Sequence, residues 1–175
     1  MASVSGLSED QRDRARDRVC QALKLGLANA SKVHYTMDGR RWEGIDQHKD
    51  AHQGQFPAHS DCSSFATWAL WNGLYLKYGL PDRVNGQHWN AGYTGTMLDH
   101  GWRLPEPIEV KDVRRGDCVF YSGTNFNHVA VVLNRKADGT LMVVSHGSEG
   151  GPYYVRWDYR QILKRNNKRE VRRYV

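Results

Sequence analysis

The stretch His59-Ser60-Asp61-Cys62-Ser63-Ser64-Phe65-Ala66-Thr67-Trp68-Ala69-Leu70-Trp71 carries the most chemistry in this chain. A short polar loop hands over to an apolar run, and Cys62 stands at the join. If the run is a helix, its first turn presents unpaired backbone N–H groups and a partial positive charge. Both favour the thiolate, the attacking form of cysteine, so the placement predicts covalent catalysis. A base is available downstream. His128 opens the apolar run Val129-Ala130-Val131-Val132-Leu133, and His146 closes the run Leu141-Met142-Val143-Val144-Ser145. A thiol at a helix start with histidines at strand ends predicts acyl transfer, with Cys62 as nucleophile and His128 as general base.

A third group must hold the base in one tautomer and stabilise its charged form. Ser145 and His146 are the candidates, and strand alternation allows only one of them on the face of His128. A two-residue turn at Asp138-Gly139 would put Ser145 there, while a longer loop or a bulge would put His146 there. His48 and His52 have a spacing that could seat a metal on a helix. Their segment does not read as a helix and no third ligand is evident, so no metal and no cofactor are expected.

The elements that must position these groups follow from periodicity. Ser8-Glu9-Asp10-Gln11 has the form of a capping box, and a helix over about 8–30 follows, with Ala15, Val19, Cys20, Ala22, Leu23, Leu27 and Ala30 as its apolar stripe. Residues 31–60 read as a long irregular segment, anchored by Tyr35, Trp42, Ile45 and Phe56 as the wall of a cleft. The second helix runs from Ser63 to about Tyr78 and stops at Gly79, with Pro81 behind it. It is apolar nearly all round, the mark of a central buried helix. A shorter helix is expected over Trp89 to His100. Strands then follow over Asp117 to Tyr121, His128 to Leu133, Thr140 to Ser145, Tyr153 to Trp157 and Val171 to Val175. Helices first and an antiparallel sheet of about five strands afterwards is an α+β arrangement. We read 1–175 as one domain, with its core over about 33–175.

Composition bounds the partners. The 175 residues hold no apolar run near the length a bilayer requires, and the first residues lack the pattern of a secretory signal. Three cysteines cannot all pair, and Cys20 and Cys118 read as packing residues. A net charge of +6 and a pI near 9.3 suggest an anionic partner, with much of the excess in Lys164-Arg165-Asn166-Asn167-Lys168-Arg169. No nucleic-acid motif accompanies that charge, so neither nucleic-acid binding nor membrane insertion is expected.

Three motifs in order carry a resemblance: Asp61-Cys62-Ser63, then Arg115-Gly116-Asp117-Cys118-Val119-Phe120-Tyr121, then His128-Val129-Ala130-Val131-Val132. The chain resembles the NlpC superfamily of papain-like cell-wall peptidases, over roughly residues 33–147. Its ending, Ser145-His146-Gly147-Ser148-Glu149-Gly150-Gly151-Pro152 with Val171-Arg172-Arg173-Tyr174, is similar to peptidase modules of lysins from phages of actinobacteria. The resemblance implies a papain-like fold and hydrolysis of peptidoglycan stem peptides, commonly between γ-D-glutamyl and diaminopimelate. The wider superfamily includes amidases of the CHAP type. Carried over, Cys62 matches the nucleophile, His128 the base and His146 the polar residue at the end of the next strand. His146 is therefore taken as the third catalytic member. Tyr35, Asp61 and Ser63 match positions that line the site or hold substrate, although the family's Tyr-x-Trp-Gly-Gly is replaced by Tyr35-Thr36-Met37-Asp38-Gly39. Trp42, Trp89 and Trp102 are candidates to line a groove.

The resemblance further implies a monomer made in the host cytoplasm, acting at the wall after membrane permeabilisation, or a tail-associated hydrolase. Two other functions compete. One is a cell-wall-binding module with a vestigial cysteine, against which the intact Cys62 and His128 argue. The other is a papain-like toxin or transferase acting on proteins.

Overall fold

The computed structural model describes residues 6–98, 107–121, 127–147, 150–157 and 169–175. Helix α1, Glu9–Ala28, starts where its capping box places it: the Ser8 hydroxyl accepts from the Gln11 amide, and the Gln11 side chain accepts from the Ser8 amide. Its buried stripe, including Ala15, Val19, Ala22 and Leu23, lies against a helix whose corresponding face is equally apolar. That helix follows a parallel ribbon of β1, His34–Tyr35, and β2, His59–Ser60; between these strands lies the short α2, Glu43–Asp46. The central helix α3 then runs Cys62–Tyr78 and ends at Gly79, whose left-handed φ of 64° lets the chain turn out. Gly73 is what lets α1 and α3 approach so closely. A Cβ there would lie 2.7 Å from the Ala15 carbonyl oxygen.

The helix expected over Trp89 to His100 is shorter, α4 over Thr94–Leu98; residues 99 and 100 lie outside the described residues. The buried Asp82 carboxylate accepts from the amides of Val84, Asn85, Gln87 and Trp89. Those bonds replace the helical ones with a loop. Trp89 itself has φ 70°, outside any helix.

Five strands form one antiparallel sheet: β3 Cys118–Tyr121, β4 His128–Arg135, β5 Leu141–Gly147, β6 Gly151–Trp157 and β7 Arg169–Arg172, in the order β6-β5-β4-β3-β7. The architecture is therefore the α+β one expected. Both faces of the sheet are apolar. Cys118, Phe120, Val129, Val131 and Val144 join the helices in the main core, and Val119, Ala130, Val132 and Val143 pack with Trp157 and Val171 on the other side.

The β4–β5 connection decides which residue His128 meets. Its loop has three residues, since Lys136 and Thr140 are the last to bond across it. Leu133 then forms a bulge, and the ladder resumes with Val132 opposite Val143 and Ala130 opposite Ser145. Either irregularity alone would have turned His146 toward the face of His128. Together they cancel, so His128, Ala130 and Ser145 share a face, and His146 follows Val144 to the helix side.

Candidate active site

The cap of α3 builds the surroundings of Cys62. Asp61 precedes the first turn with extended backbone, and its Oδ1 accepts from the Ser64 amide at 2.7 Å and from the Ser63 hydroxyl at 2.9 Å. In return the Asp61 amide donates to Ser64 Oγ at 2.8 Å, so both orphan donors are answered. Asp61 Oδ2 accepts from the Arg41 guanidinium at 2.7 Å, and the same guanidinium donates to the Gly92 carbonyl at 3.3 Å. Asp61 and Ser63 are each 2% exposed. Both were expected to hold substrate; the structure places them inside the cap beneath Cys62, with Asp61 bonded on both oxygens. Arg41 had no signal in the sequence, because only folding brings this loop cation to residue 61.

Cys62 is itself 8% exposed. Burial pushes its thiol up to about 11, and the Asp61 carboxylate beside it adds to the rise. The amides of Val129, Ser63 and Cys62 pull the other way, toward thiolate. The helix start thus acts as expected, but desolvation outweighs it, and the resting sulfur is a neutral thiol. The Val129 amide beside the sulfur places the start of β4, where His128 stands, near the first turn of α3.

His128 Nε2 lies 2.7 Å from the hydroxyl oxygen of Ser145, which is fully buried. The Tyr121 ring meets the imidazole edge-on with centroids 5.0 Å apart, and its hydroxyl is 3.5 Å from Ser145 Oγ. The structure therefore brings Ser145, and not His146, to His128. His146 lies on the helix side of the sheet at 1% exposure, with Phe65 and Tyr35 edge-on at 5.6 and 5.5 Å. Neither of its ring nitrogens completes a hydrogen bond. Burial lowers its pKa below the ordinary histidine value, against a weaker opposite pull from the backbone of Gly151, Ser60 and His34.

Tyr35 is half-buried and its hydroxyl donates to Met37 Sδ at 3.2 Å. Trp42 is in the main core, beneath the Arg41 guanidinium, while Trp102 and most of the basic run after residue 157 lie outside the described residues. Cys20 and Cys118 are buried, and burial raises both thiols, Cys118 the more strongly. Among the described residues no three His, Cys, Asp or Glu side chains gather into a metal-binding set, and no helix is long and apolar enough to cross a membrane.

Residues 51–147, more than half of the chain, match the family model described as the CHAP domain. The chain belongs to the CHAP domain family. CHAP domains are cysteine- and histidine-dependent amidohydrolases or peptidases, so the chain is a cysteine hydrolase of the peptidoglycan-hydrolase type. The CHAP segment contains Cys62, His128, Ser145 and His146; Tyr35 and Arg41 precede it. No curated protein matches the chain. Among solved structures, the crystal structure of the P60 domain from an M. avium subspecies paratuberculosis antigen aligns at 18% identity and a TM-score of 0.47, covering 94% of this chain and 96% of that one.

Proposed function

We propose that this CHAP domain hydrolyses an amide bond in the peptide part of peptidoglycan, with Cys62 as nucleophile, His128 as base and Ser145 as the residue that orients the base. The observation that carries the reading is the His128–Ser145 contact at 2.7 Å, on a strand whose next amide points at the Cys62 sulfur. With Nε2–H donating to the Ser145 hydroxyl, the nitrogen left to act as base is Nδ1. Because the resting thiol is neutral, its proton passes to Nδ1 as sulfur attacks the carbonyl carbon. The first-turn amides of α3 receive the developing oxyanion. Collapse breaks the C–N bond, the imidazolium returns the proton to the leaving amine, and a thioester remains. Water, deprotonated by His128, then attacks the thioester and releases the acid and the thiol.

For the bond cut, the NlpC-like motifs favour the stem-peptide amide between γ-D-glutamyl and diaminopimelate, and the CHAP match favours amidase action as a second reading. In either case Tyr35 is proposed to form the rim of the site, and the chain to act as a lysin at the bacterial wall, where a net charge of +6 favours an anionic polymer. The test is digestion of purified peptidoglycan followed by mass analysis of the fragments. New γ-D-glutamyl carboxylates and diaminopimelate amines support endopeptidase action. Free lactyl carboxylates on the glycan support amidase action, and intact peptidoglycan with a folded protein refutes both.

A further inference from the structure

A cavity of about 510 Å³ opens on the far side of α3 from the nucleophile's cap, a size typical of small-ligand sites. Trp71 and Tyr75, one turn apart on α3, stack with centroids 5.9 Å apart at 13°, and Trp89 lies 6.4 Å from Tyr75. Tyr75 is 42% exposed and so presents its ring to the opening. Around this aromatic wall stand the exposed side chains of Asp46, Gln87, His88 and Asn90.

Two features indicate a built site. The described non-glycine residues with positive φ are His48 at 53° and Trp89 at 70°, and both line this cavity. Such backbone is unfavourable and clusters where function requires it. At Trp89 it is held in place by the buried Asp82 carboxylate, which accepts the Trp89 amide at 3.0 Å, and by the indole N–H, which donates to the Leu80 carbonyl at 3.1 Å. The same two loops also reach the active site: Arg41, ahead of Asp46 and His48, joins Asp61 to the carbonyl of Gly92, just beyond Asn90.

The lining selects a ligand class. Among the described residues no lysine or arginine lines the cavity, and Asp46 and Asp82 disfavour an anion. A flat aromatic wall with carboxylate, amide and imidazole groups at its edge suits a neutral, hydroxyl-rich ring with one apolar face. We propose that this cavity is a saccharide subsite that holds an N-acetylhexosamine of the glycan strand. The identification of the sugar rests on the peptidoglycan reading above. Trp71 lies nine residues beyond Cys62, ~14 Å along the helix axis, so the subsite grips the polymer away from the bond being cut.

The test uses the Cys62→Ala protein, so that binding is read without turnover, and a trimer of N-acetylglucosamine as the probe. Tryptophan fluorescence reports binding through Trp71 and Trp89. Saturable binding is expected, weakened roughly three- to tenfold by Tyr75→Ala, as the loss of one aromatic contact implies. On the active enzyme Tyr75→Ala raises KM for whole peptidoglycan by a similar factor and leaves kcat on a glycan-free stem peptide unchanged. Asp46→Ala and Asn90→Ala, both on the exposed rim, give the same pattern should Tyr75→Ala fold poorly. Absence of saturable trimer binding overturns the proposal, and so does binding indifferent to all three substitutions. Trimer binding by a protein that cuts no peptidoglycan would leave the subsite standing and remove the hydrolase reading instead.

Discussion

Ser145→Ala separates the geometry seen here from the one in which His146 completes the site. The substitution removes a 2.7 Å hydrogen bond from a fully buried hydroxyl to the base. The bond matters most when the imidazole carries the proton, and a hydrogen bond to a charged group is worth about 1.5–3 kcal/mol. If that stabilisation is lost in the transition state, kcat/KM falls by roughly 10- to 150-fold. His128→Ala sets the floor, since losing a general base costs about 10²- to 10⁴-fold. His146→Ala acts on another quantity. It empties the space between Phe65 and Tyr35 and is expected to cost about 2–4 kcal/mol of stability, as large-to-small core changes do, while the folded protein turns over within a few-fold of wild type. The assay is clearing of a peptidoglycan suspension well below Tm, with circular dichroism to correct for the folded fraction. Ser145→Thr, which keeps the hydroxyl, is expected to recover part of the rate. A folded Ser145→Ala at wild-type rate beside a folded but inactive His146→Ala would refute this assignment and restore His146 to the triad.

Cys62→Ala and Cys62→Ser are both expected to abolish hydrolysis with the fold intact, and turnover by the alanine variant would remove the nucleophile. Because burial holds the Cys62 thiol up to about 11, iodoacetamide should alkylate it faster with each step from pH 7 to pH 10, read by peptide mass mapping; a rate flat from pH 5 upward would instead reveal a preformed thiolate. Arg41→Ala leaves the buried Asp61 carboxylate without its cation, so Tm should fall by an amount matching about 3 kcal/mol, with Arg41→Lys milder; an unchanged Tm would show that the pair contributes nothing. Burial keeps His146 neutral in the folded state, whereas the unfolded chain takes up a proton near pH 6.5. Its contribution to stability is therefore present above about pH 6.5 and lost as pH falls through the lower folded value. Tm should drop between pH 8 and pH 5, and the drop should shrink in His146→Gln; an equal drop in both proteins would place the acid sensitivity elsewhere.

Much of the molecule is legible from local pattern. The Ser8 capping box, the stop at Gly79 and the start of α3 at Cys62 depend on neighbours within a turn, so the residues themselves set them. The alternating apolar runs likewise specify strands, and their order specifies an antiparallel sheet against helices. The motifs also single out Cys62 and His128 as candidates from local sequence alone. What eluded the chain was parity and environment. Ser145 meets His128 only because a three-residue loop and a one-residue bulge cancel, and neither leaves a clear mark in Lys136-Ala137-Asp138-Gly139-Thr140. The protonation of Cys62 also depends on contacts distant in sequence. A helix start favours thiolate, but the depth of burial and the Asp61 carboxylate decide the outcome, and burial is a property of everything packed around the sulfur. Arg41 reaches Asp61 across twenty residues for the same reason. Hydrogen-bond caps and side-chain periodicity act over a few residues and can be read along the chain; desolvation, ion pairing and strand register arise from distant segments meeting, and only the folded protein determines them.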